Sequence, residues 1–251
     1  MSRQRLIGLV GGVTWRSTLD YYRAINEEVG RRLGGVHGAR LVLVSLDFDE
    51  VRTRAAAGDE PALLELYSEA AATLARAGAE ALLLCANTAH RRAEELQRRV
   101  GIPLLHIADA AGEAARRVGA GRVGLLGTRA TMEEGFIRER LGRRFGLEVL
   151  TPPQTARARL DSLIFEEMAR GVFSRTALDF ALELMRDLVA AGAEAVILGC
   201  TELPILLRDA SLPCPALDTT RLHALSAVDF ATPKPRTTKA GPSALPSSSQ
   251  T

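Results

Sequence analysis

Two cysteines hold matching places in an internal repeat, and thiols so placed could do acid–base chemistry on a single carbon. Ala77-Gly78-Ala79-Glu80-Ala81-Leu82-Leu83-Leu84-Cys85 returns as Ala191-Gly192-Ala193-Glu194-Ala195-Val196-Ile197-Leu198-Gly199-Cys200. Each copy is an apolar run that ends on a thiol and continues into small polar residues. Cys85 leads into Ala86-Asn87-Thr88-Ala89-His90, and Cys200 into Thr201-Glu202-Leu203-Pro204. If the copies face each other, one thiolate can remove a proton while the opposite thiol returns one to the other face, inverting a stereocentre. A free cysteine titrates near ~8.5, so little of it is thiolate at neutral pH. A helix N-terminus favours an anion by ~0.3–1 kcal/mol, less than the ~1.36 kcal/mol of one pKa unit. Hydrogen bonds from Asn87, Thr88 or Thr201, or a substrate ammonium, would have to add to it. For either cysteine alone, a buried inert thiol is the competing reading; the matched pair argues against it.

The residues around the thiols suit a small zwitterion. Asn87 and Thr88 offer an amide and a hydroxyl beside free backbone N–H groups, a fit for a carboxylate, and they also suit plain helix capping. Thr201 and Glu202 are their counterparts; Glu202 could pair with an ammonium or complement a helix dipole. Gly11-Gly12 followed by Thr14 allows close backbone approach. His90 fits the core or the surroundings of the site as well as direct contact. A second substrate carboxylate would need a cation. Arg52, placed in a loop after a strand at 40–46, is the first candidate and Arg16 the second, each equally readable as a solvated surface arginine. Cys214, between Pro213 and Pro215, reads as structural. No Cys-x-x-Cys or His-x-x-x-His spacing supports a zinc site, so no metal is expected.

The elements that would position these residues repeat too. Ile7-Gly8-Leu9-Val10-Gly11-Gly12 resembles Val123-Gly124-Leu125-Leu126-Gly127-Thr128, and Ile102-Pro103-Leu104-Leu105-His106-Ile107-Ala108-Asp109 resembles Leu212-Pro213-Cys214-Pro215-Ala216-Leu217-Asp218. Apolar runs predict strands at 6–10, 40–46, 80–84, 103–107, 122–126, 148–150 and 195–198. Helical spacing predicts helices at 17–33, 60–77, 88–100, 110–118, 132–145, 157–170, 176–191, 203–207 and 219–230. Alternating strands and helices mean α/β architecture with parallel sheets, and such sheets bind ligands at the carboxyl ends of their strands. The expected division is 1–112 plus 217–231 as a first domain and 113–216 as a second. The Pro-, Ser- and Thr-rich segment 232–251 is expected to be a disordered tail.

Composition narrows the chemistry. The 251 residues carry 32 basic and 30 acidic side chains, a net charge of +2. Three of the basic ones, Lys234, Arg236 and Lys239, lie in the tail, so no basic face for nucleic acid is implied. Lys234 and Lys239 are the only lysines, so the body can form neither a Schiff base with pyridoxal phosphate nor a Walker A loop. No apolar run approaches the ~20 residues of a membrane span. Three cysteines without close pairing argue for a reducing, cytoplasmic setting.

Leu84-Cys85-Ala86-Asn87-Thr88-Ala89-His90 and Ile197-Leu198-Gly199-Cys200-Thr201-Glu202-Leu203-Pro204 resemble the two signatures of aspartate/glutamate racemases. Residues 7–18 followed by Tyr21-Tyr22, with Leu125-Leu126-Gly127-Thr128 and Leu163-Ile164-Phe165-Glu166-Glu167, are similar to the broad-specificity amino-acid racemase branch. The resemblance covers about residues 5–231. It implies a cofactor-independent racemase of two similar Rossmann-like domains related by a pseudo-twofold, with the site between them. It carries over Cys85 and Cys200 as the acid/base thiols, and Asn87, Thr88, Thr128 and Thr201 as carboxylate ligands. A small-molecule amino acid is the implied partner, along with a second copy of the chain in a homodimer. Where the family often has Gly-Gly-Met-Ser-Trp-Glu-Ser, Val13, Thr14 and Arg16 stand here in place of Met, Ser and Glu. Arg16 reverses a charge and leaves the substrate open. Maleate isomerases, hydantoin racemases and arylmalonate decarboxylases share the superfamily, and a non-catalytic binding protein could share the scaffold. The Thr-Glu after Cys200 favours the amino-acid racemases.

Overall fold

The computed structural model describes residues 3–232. Its first half runs β1 (Ile7–Gly11), α1 (Trp15–Leu33), β2 (Leu41–Ser45), α2 (Phe48–Ala56), α3 (Glu60–Arg76) and β3 (Ala81–Leu84). A 3-10 turn at Thr88–Arg92, α4 (Ala93–Arg99) and α5 (Ile107–Arg117) follow. The second half runs β4 (Arg122–Gly127), α6 (Arg129–Glu133), α7 (Gly135–Phe145), β5 (Glu148–Leu150), α8 (Gln154–Glu166), a 3-10 turn at Met168–Arg170 and α9 (Arg175–Ala190). It closes with β6 (Ala195–Gly199), α10 (Leu203–Leu206), β7 (Ala216–Asp218) and α11 (Thr219–Ala231). The strands form two parallel sheets, ordered β2-β1-β3 and β5-β4-β6-β7. The two orders correspond, with β1 matching β4 and β3 matching β6. The counterpart of β7 is reduced to one parallel bridge between Leu82 and Leu104.

The repeated Ala-Gly-Ala-Glu has a local physical cause. Gly78 and Gly192 follow the last turns of α3 and α9 at φ 87° and 99°, a left-handed conformation that favours glycine. The next alanine turns back into that helix, with Ala79 N donating to Leu74 O and Ala193 N to Leu188 O. The glutamate then tethers the neighbouring strand. Leu6 N donates to Glu80 Oε1 at 3.1 Å, and Gly121 N and Arg122 N donate to Glu194 Oε2 at 2.6 and 2.9 Å. The motif thus stops a helix and starts a strand in register with the one beside it.

Alternation along β3 divides its side chains between two cores. Leu82, Leu84 and Ala86 pack with Tyr67, Leu74 and Leu96 beneath α3 and α4. Leu83 and Cys85 turn the other way, into a cluster with Ile7, Leu9, Tyr21, Ile25, Ala224 and Val228. That cluster joins α1 to α11, so the final helix returns to cover the first sheet. The buried face of α5 instead joins the core of the second sheet, with Val123, Leu125 and Ile197.

Several expected boundaries shift. The strand expected at 103–107 is only the Leu104 bridge, because Pro103 lacks an N–H and His106 already caps α5. Residues 48–56, expected as a loop, form α2 behind the Asp47 cap, which places Arg52 on a helix. The helix expected at 132–145 breaks at Glu134, whose extended ψ of 155° separates α6 from α7. Thr232, at the head of the expected tail, is buried and donates both N–H and hydroxyl to Val228 O. Residues 233–251 of that tail lie outside the described residues.

Three histidines pack where the halves meet. The His90 ring lies 4.7 Å from that of His106 and 5.3 Å from that of His223, centroid to centroid. Their partners assign neutral tautomers to two of them. His90 Nδ1–H donates to Ala86 O at 2.9 Å while Nε2 accepts from Ile107 N at 3.2 Å. His223 Nε2–H donates to Leu105 O at 2.7 Å while Nδ1 accepts from the Tyr21 hydroxyl at 2.8 Å. Burial, reinforced by neighbouring positive charge, pushes His106 down to about 2 and His223 to about 3, and holds His90 well below the ordinary range. Each group binds its proton more weakly folded than unfolded. The stability this supplies is therefore complete above the ordinary histidine pKa and is lost as pH falls below it, by up to about 1.4 kcal/mol per histidine per pH unit. Urea-unfolding midpoints should fall between pH 7 and pH 5.5. His106→Asn keeps an N-cap side chain and should flatten that slope by about one proton. An unchanged slope would remove His106 from the linkage.

Candidate active site

A cavity of about 260 Å³ opens at the carboxyl ends of both sheets. Four strand-to-helix junctions supply its polar lining: Thr14 after β1, Asn87 and Thr88 after β3, Thr128 after β4, and Cys200, Thr201 and Glu202 after β6. The opposite wall is apolar, built from Phe48 and Val51 of α2, Leu63 and Tyr67 of α3, and Ile164 and Phe165 of α8.

The β1 junction depends on glycine. Gly12 has φ 94° and lies so close to the Leu46 backbone that a Cβ would collide with it. Gly12 N donates to Thr18 Oγ1 at 2.9 Å, and Gly11 O accepts from Leu46 N at 3.0 Å. This pins the turn and presents Thr14, whose Oγ1 is buried without a partner. Gly11 itself does not line the cavity; its place is packed against Thr18 and Leu43.

At the β3 junction, Asn87 is tied across to the other half. Its Nδ2 donates to Thr219 Oγ1 at 3.1 Å, and that hydroxyl donates to Leu198 O at 2.8 Å. Asn87 Oδ1 is left buried and unpartnered. Four such side-chain atoms occur among the described residues, and three of them, on Thr14, Asn87 and Arg92, belong to residues lining this cavity. Buried polar atoms are nearly always paired, so their concentration here makes the cavity a candidate place for water or a polar ligand. Thr128 caps α6, its hydroxyl accepting from Thr131 N.

The two thiols differ in surroundings. Cys200 is 7% exposed and lines the cavity, and its Sγ donates to Glu202 Oε2 at 2.9 Å. The Thr201 hydroxyl donates to the same oxygen at 2.7 Å. Burial, then the Glu202 charge, raises the Cys200 pKa well above the ordinary thiol value. Cys85 is 1% exposed, faces the α1/α11 core and does not line the cavity. Burial alone raises its pKa. The strand alternation that sends Ala86 toward the cavity sends Cys85 behind it. Cys214 is half-buried, and burial raises it too.

Arg52 reaches the cavity from α2, but its side chain is 64% exposed and pairs with Asp49 at 2.6 Å. Arg16 does not line the cavity; it lies over the Trp15 ring and donates to Ala169 O. Arg91 and Arg92 do line it, and the sequence reading missed them. Their signal was the spacing of 88, 91 and 92, which puts a threonine and two cations on one side of a helical turn. The Arg92 side chain is only 9% exposed and pairs with Glu60 at 2.6 Å. Arg91 pairs with Glu60 at 2.9 Å and with Glu134. His90 is engaged at both ring nitrogens by backbone. Among the described residues, no cluster of three or more His, Cys, Asp or Glu side chains could hold a metal ion, and no helix is long and apolar enough to cross a membrane.

Comparison with known proteins identifies the family. Residues 10–227 match the family model for Asp/Glu/Hydantoin racemase. A Yersinia pestis protein described as a candidate Asp/Glu racemase is 42% identical with a TM-score of 0.86, over 90% of this chain and 99% of that one. An aspartate racemase homologue from Pyrococcus horikoshii is 31% identical with a TM-score of 0.77, over the same shares. The glutamate racemase of Aquifex aeolicus is 30% identical over 173 residues, 67% of this chain and 65% of that protein, so the match spans just under two thirds of that relative. The chain belongs to the Asp/Glu/Hydantoin racemase family of enzymes.

Proposed function

We propose that the protein racemises amino acids without pyridoxal phosphate, moving the α-proton with cysteine thiols. The observation that carries this is the convergence, in one cavity, of the Cys200–Glu202 pair with unpartnered polar atoms on Thr14 and Asn87. Those atoms suit an amino-acid head group. Asn87 Oδ1 is an acceptor and fits the ammonium, as does Glu202. The Thr14, Thr88 and Thr128 hydroxyls, with the free N–H groups of the first helical turns, fit the carboxylate, whereas the Thr201 hydroxyl already donates to Glu202. The ammonium also lowers the cost of a carbanion at Cα and partly offsets the Glu202 charge beside Cys200.

In the two-base scheme one cysteine takes the α-proton as thiolate and the other gives a proton as thiol. Glu202 is the acceptor through which Cys200 can lose its proton. Cys85 must swing its sulfur past Ala86 when substrate binds, since it faces the core here. That burial favours a second reading, in which Cys200 is the sole acid/base thiol and the reaction is a one-face isomerisation or decarboxylation of the same superfamily.

One experiment separates these readings, and a second tests the role of Glu202. With enantiopure amino acids in D2O, Cys85→Ala and Cys200→Ala should each lose racemisation by about a hundredfold or more. Each single variant should still exchange the α-proton of one enantiomer. Unimpaired turnover by Cys85→Ala would reduce that residue to packing. Removing the Glu202 charge should lower the Cys200 pKa. In a Cys85→Ala, Cys214→Ser background, iodoacetamide alkylation of Cys200 should therefore begin at lower pH in Glu202→Gln. A profile that stays in place would show that the carboxylate does not control the thiol.

A further inference from the structure

We infer that the cavity selects amino acids with uncharged, apolar side chains, and that Glu60 sets this choice by neutralising Arg91 and Arg92. The inference rests on the racemase reading and concerns the part of the cavity beyond the head-group ligands. There the wall is Phe48, Val51, Leu63, Tyr67, Ile164 and Phe165. Three cations reach the cavity, and each already has a carboxylate. Arg52 holds Asp49 at the protein surface, Arg91 holds Glu134 and Glu60, and Arg92 holds Glu60 at 2.6 Å.

Glu60 is the first residue of α3, just past the Asp59 cap, and its carboxylate is split between the two arginines, Oε1 toward Arg91 and Oε2 toward Arg92. The Arg92 side chain is nearly buried, lies over the Tyr67 ring at 5.8 Å, and keeps its buried Nε without a partner. A substrate carboxylate arriving there would meet a guanidinium whose charge is already matched, and it would share the cavity with the Glu202 charge. It would shed its water for a guanidinium charge that Glu60 already offsets. An aliphatic or thioether side chain has no charge to desolvate and gains from the apolar wall. Glu60 does not line the cavity. It acts through the arginines, as a positioning residue.

The test is a panel of L-leucine, L-methionine, L-aspartate and L-glutamate, followed by chiral chromatography with wild type, Glu60→Gln and Glu60→Asp. Wild type should favour leucine and methionine by about tenfold or more in kcat/KM. Glu60→Gln frees positive charge and should move the aspartate-to-leucine ratio toward aspartate by about tenfold, mainly through KM, because side-chain recognition is the same in ground and transition states. Aspartate should also raise the melting temperature of Glu60→Gln more than that of wild type. Glu60→Asp, which keeps the charge, should retain the wild-type order. A wild type that prefers aspartate or glutamate, or a natively melting Glu60→Gln with an unchanged ratio, overturns the inference while leaving the racemase reading intact. Absence of α-deuteration with every amino acid in D2O would sink the racemase reading itself, and this inference with it.

Discussion

A parallel strand that passes directly into a helix leaves, at the junction, backbone N–H groups that neither element can bond. In this protein four such junctions, after β1, β3, β4 and β6, open on one cavity. The constraint explains why polar residues crowd there. Thr14 and Thr128 occupy N-cap positions, and Asn87 and Glu202 each precede a helical turn. These side chains compete with a ligand for the same N–H groups, and where they fail to take them a small carboxylate can. Thr128 takes one, from Thr131, while Thr14 leaves its hydroxyl idle. The anion-receptive character of the cavity is therefore a property of the architecture, with the particular side chains adjusting it.

The same architecture decides what could be read from the chain. The Ala-Gly-Ala-Glu repeat was legible because its function is local: a left-handed glycine, a backward-bonding alanine and a glutamate gripping the adjacent strand. Each needs only a few neighbouring residues and one strand partner. The corresponding Pro103 segment looked like a strand because it repeats the sequence before β7, yet its pairing stops at one bridge. Helix α2 escaped notice because it buries only Val51, too little to leave a periodic apolar stripe. Arg91 and Arg92 look like surface arginines in sequence. What draws them to the cavity is Glu60, some thirty residues upstream, and for Arg91 also Glu134 beyond the next strand. Partnerships of that kind have no local signature.

The cysteines show how far sequence symmetry can diverge from electrostatic symmetry. Both thiols end matched strands, but the residues that follow are Ala86 and Asn87 in one half and Thr201 and Glu202 in the other. One sulfur thus acquires a carboxylate at hydrogen-bond distance, and the other is buried in the α1/α11 cluster. Burial raises both thiols, but by different means of relief. A bound ammonium can compensate Glu202 without any movement of the chain, whereas the burial that raises the Cys85 thiol is relieved only by a more polar environment. Under the proposed two-base scheme the two proton transfers would therefore face unequal barriers, and substrate binding would have to do more for the first half than for the second.

The buried histidines bear on that inequality. His90 donates to the carbonyl of Ala86, the residue standing between Cys85 and the cavity, and its other nitrogen receives the first N–H of α5. His223 in turn fixes Tyr21, which packs in the same cluster as Cys85. Both rings are neutral because burial forbids their charge, and a neutral imidazole with one donor and one acceptor can bridge two backbone segments rigidly. The wall in front of Cys85 is thus held from one side by His90 and the floor behind it from the other by His223. Under the proposed two-base scheme, side-chain rotation would be the route that brings this sulfur to the substrate, because His90 holds the Ala86 carbonyl that follows it. Such a rotation is a ps–ns event where side chains are exposed and slower in a packed core, so under the proposed scheme the time Cys85 needs to turn would be set by the packing of the α1/α11 cluster.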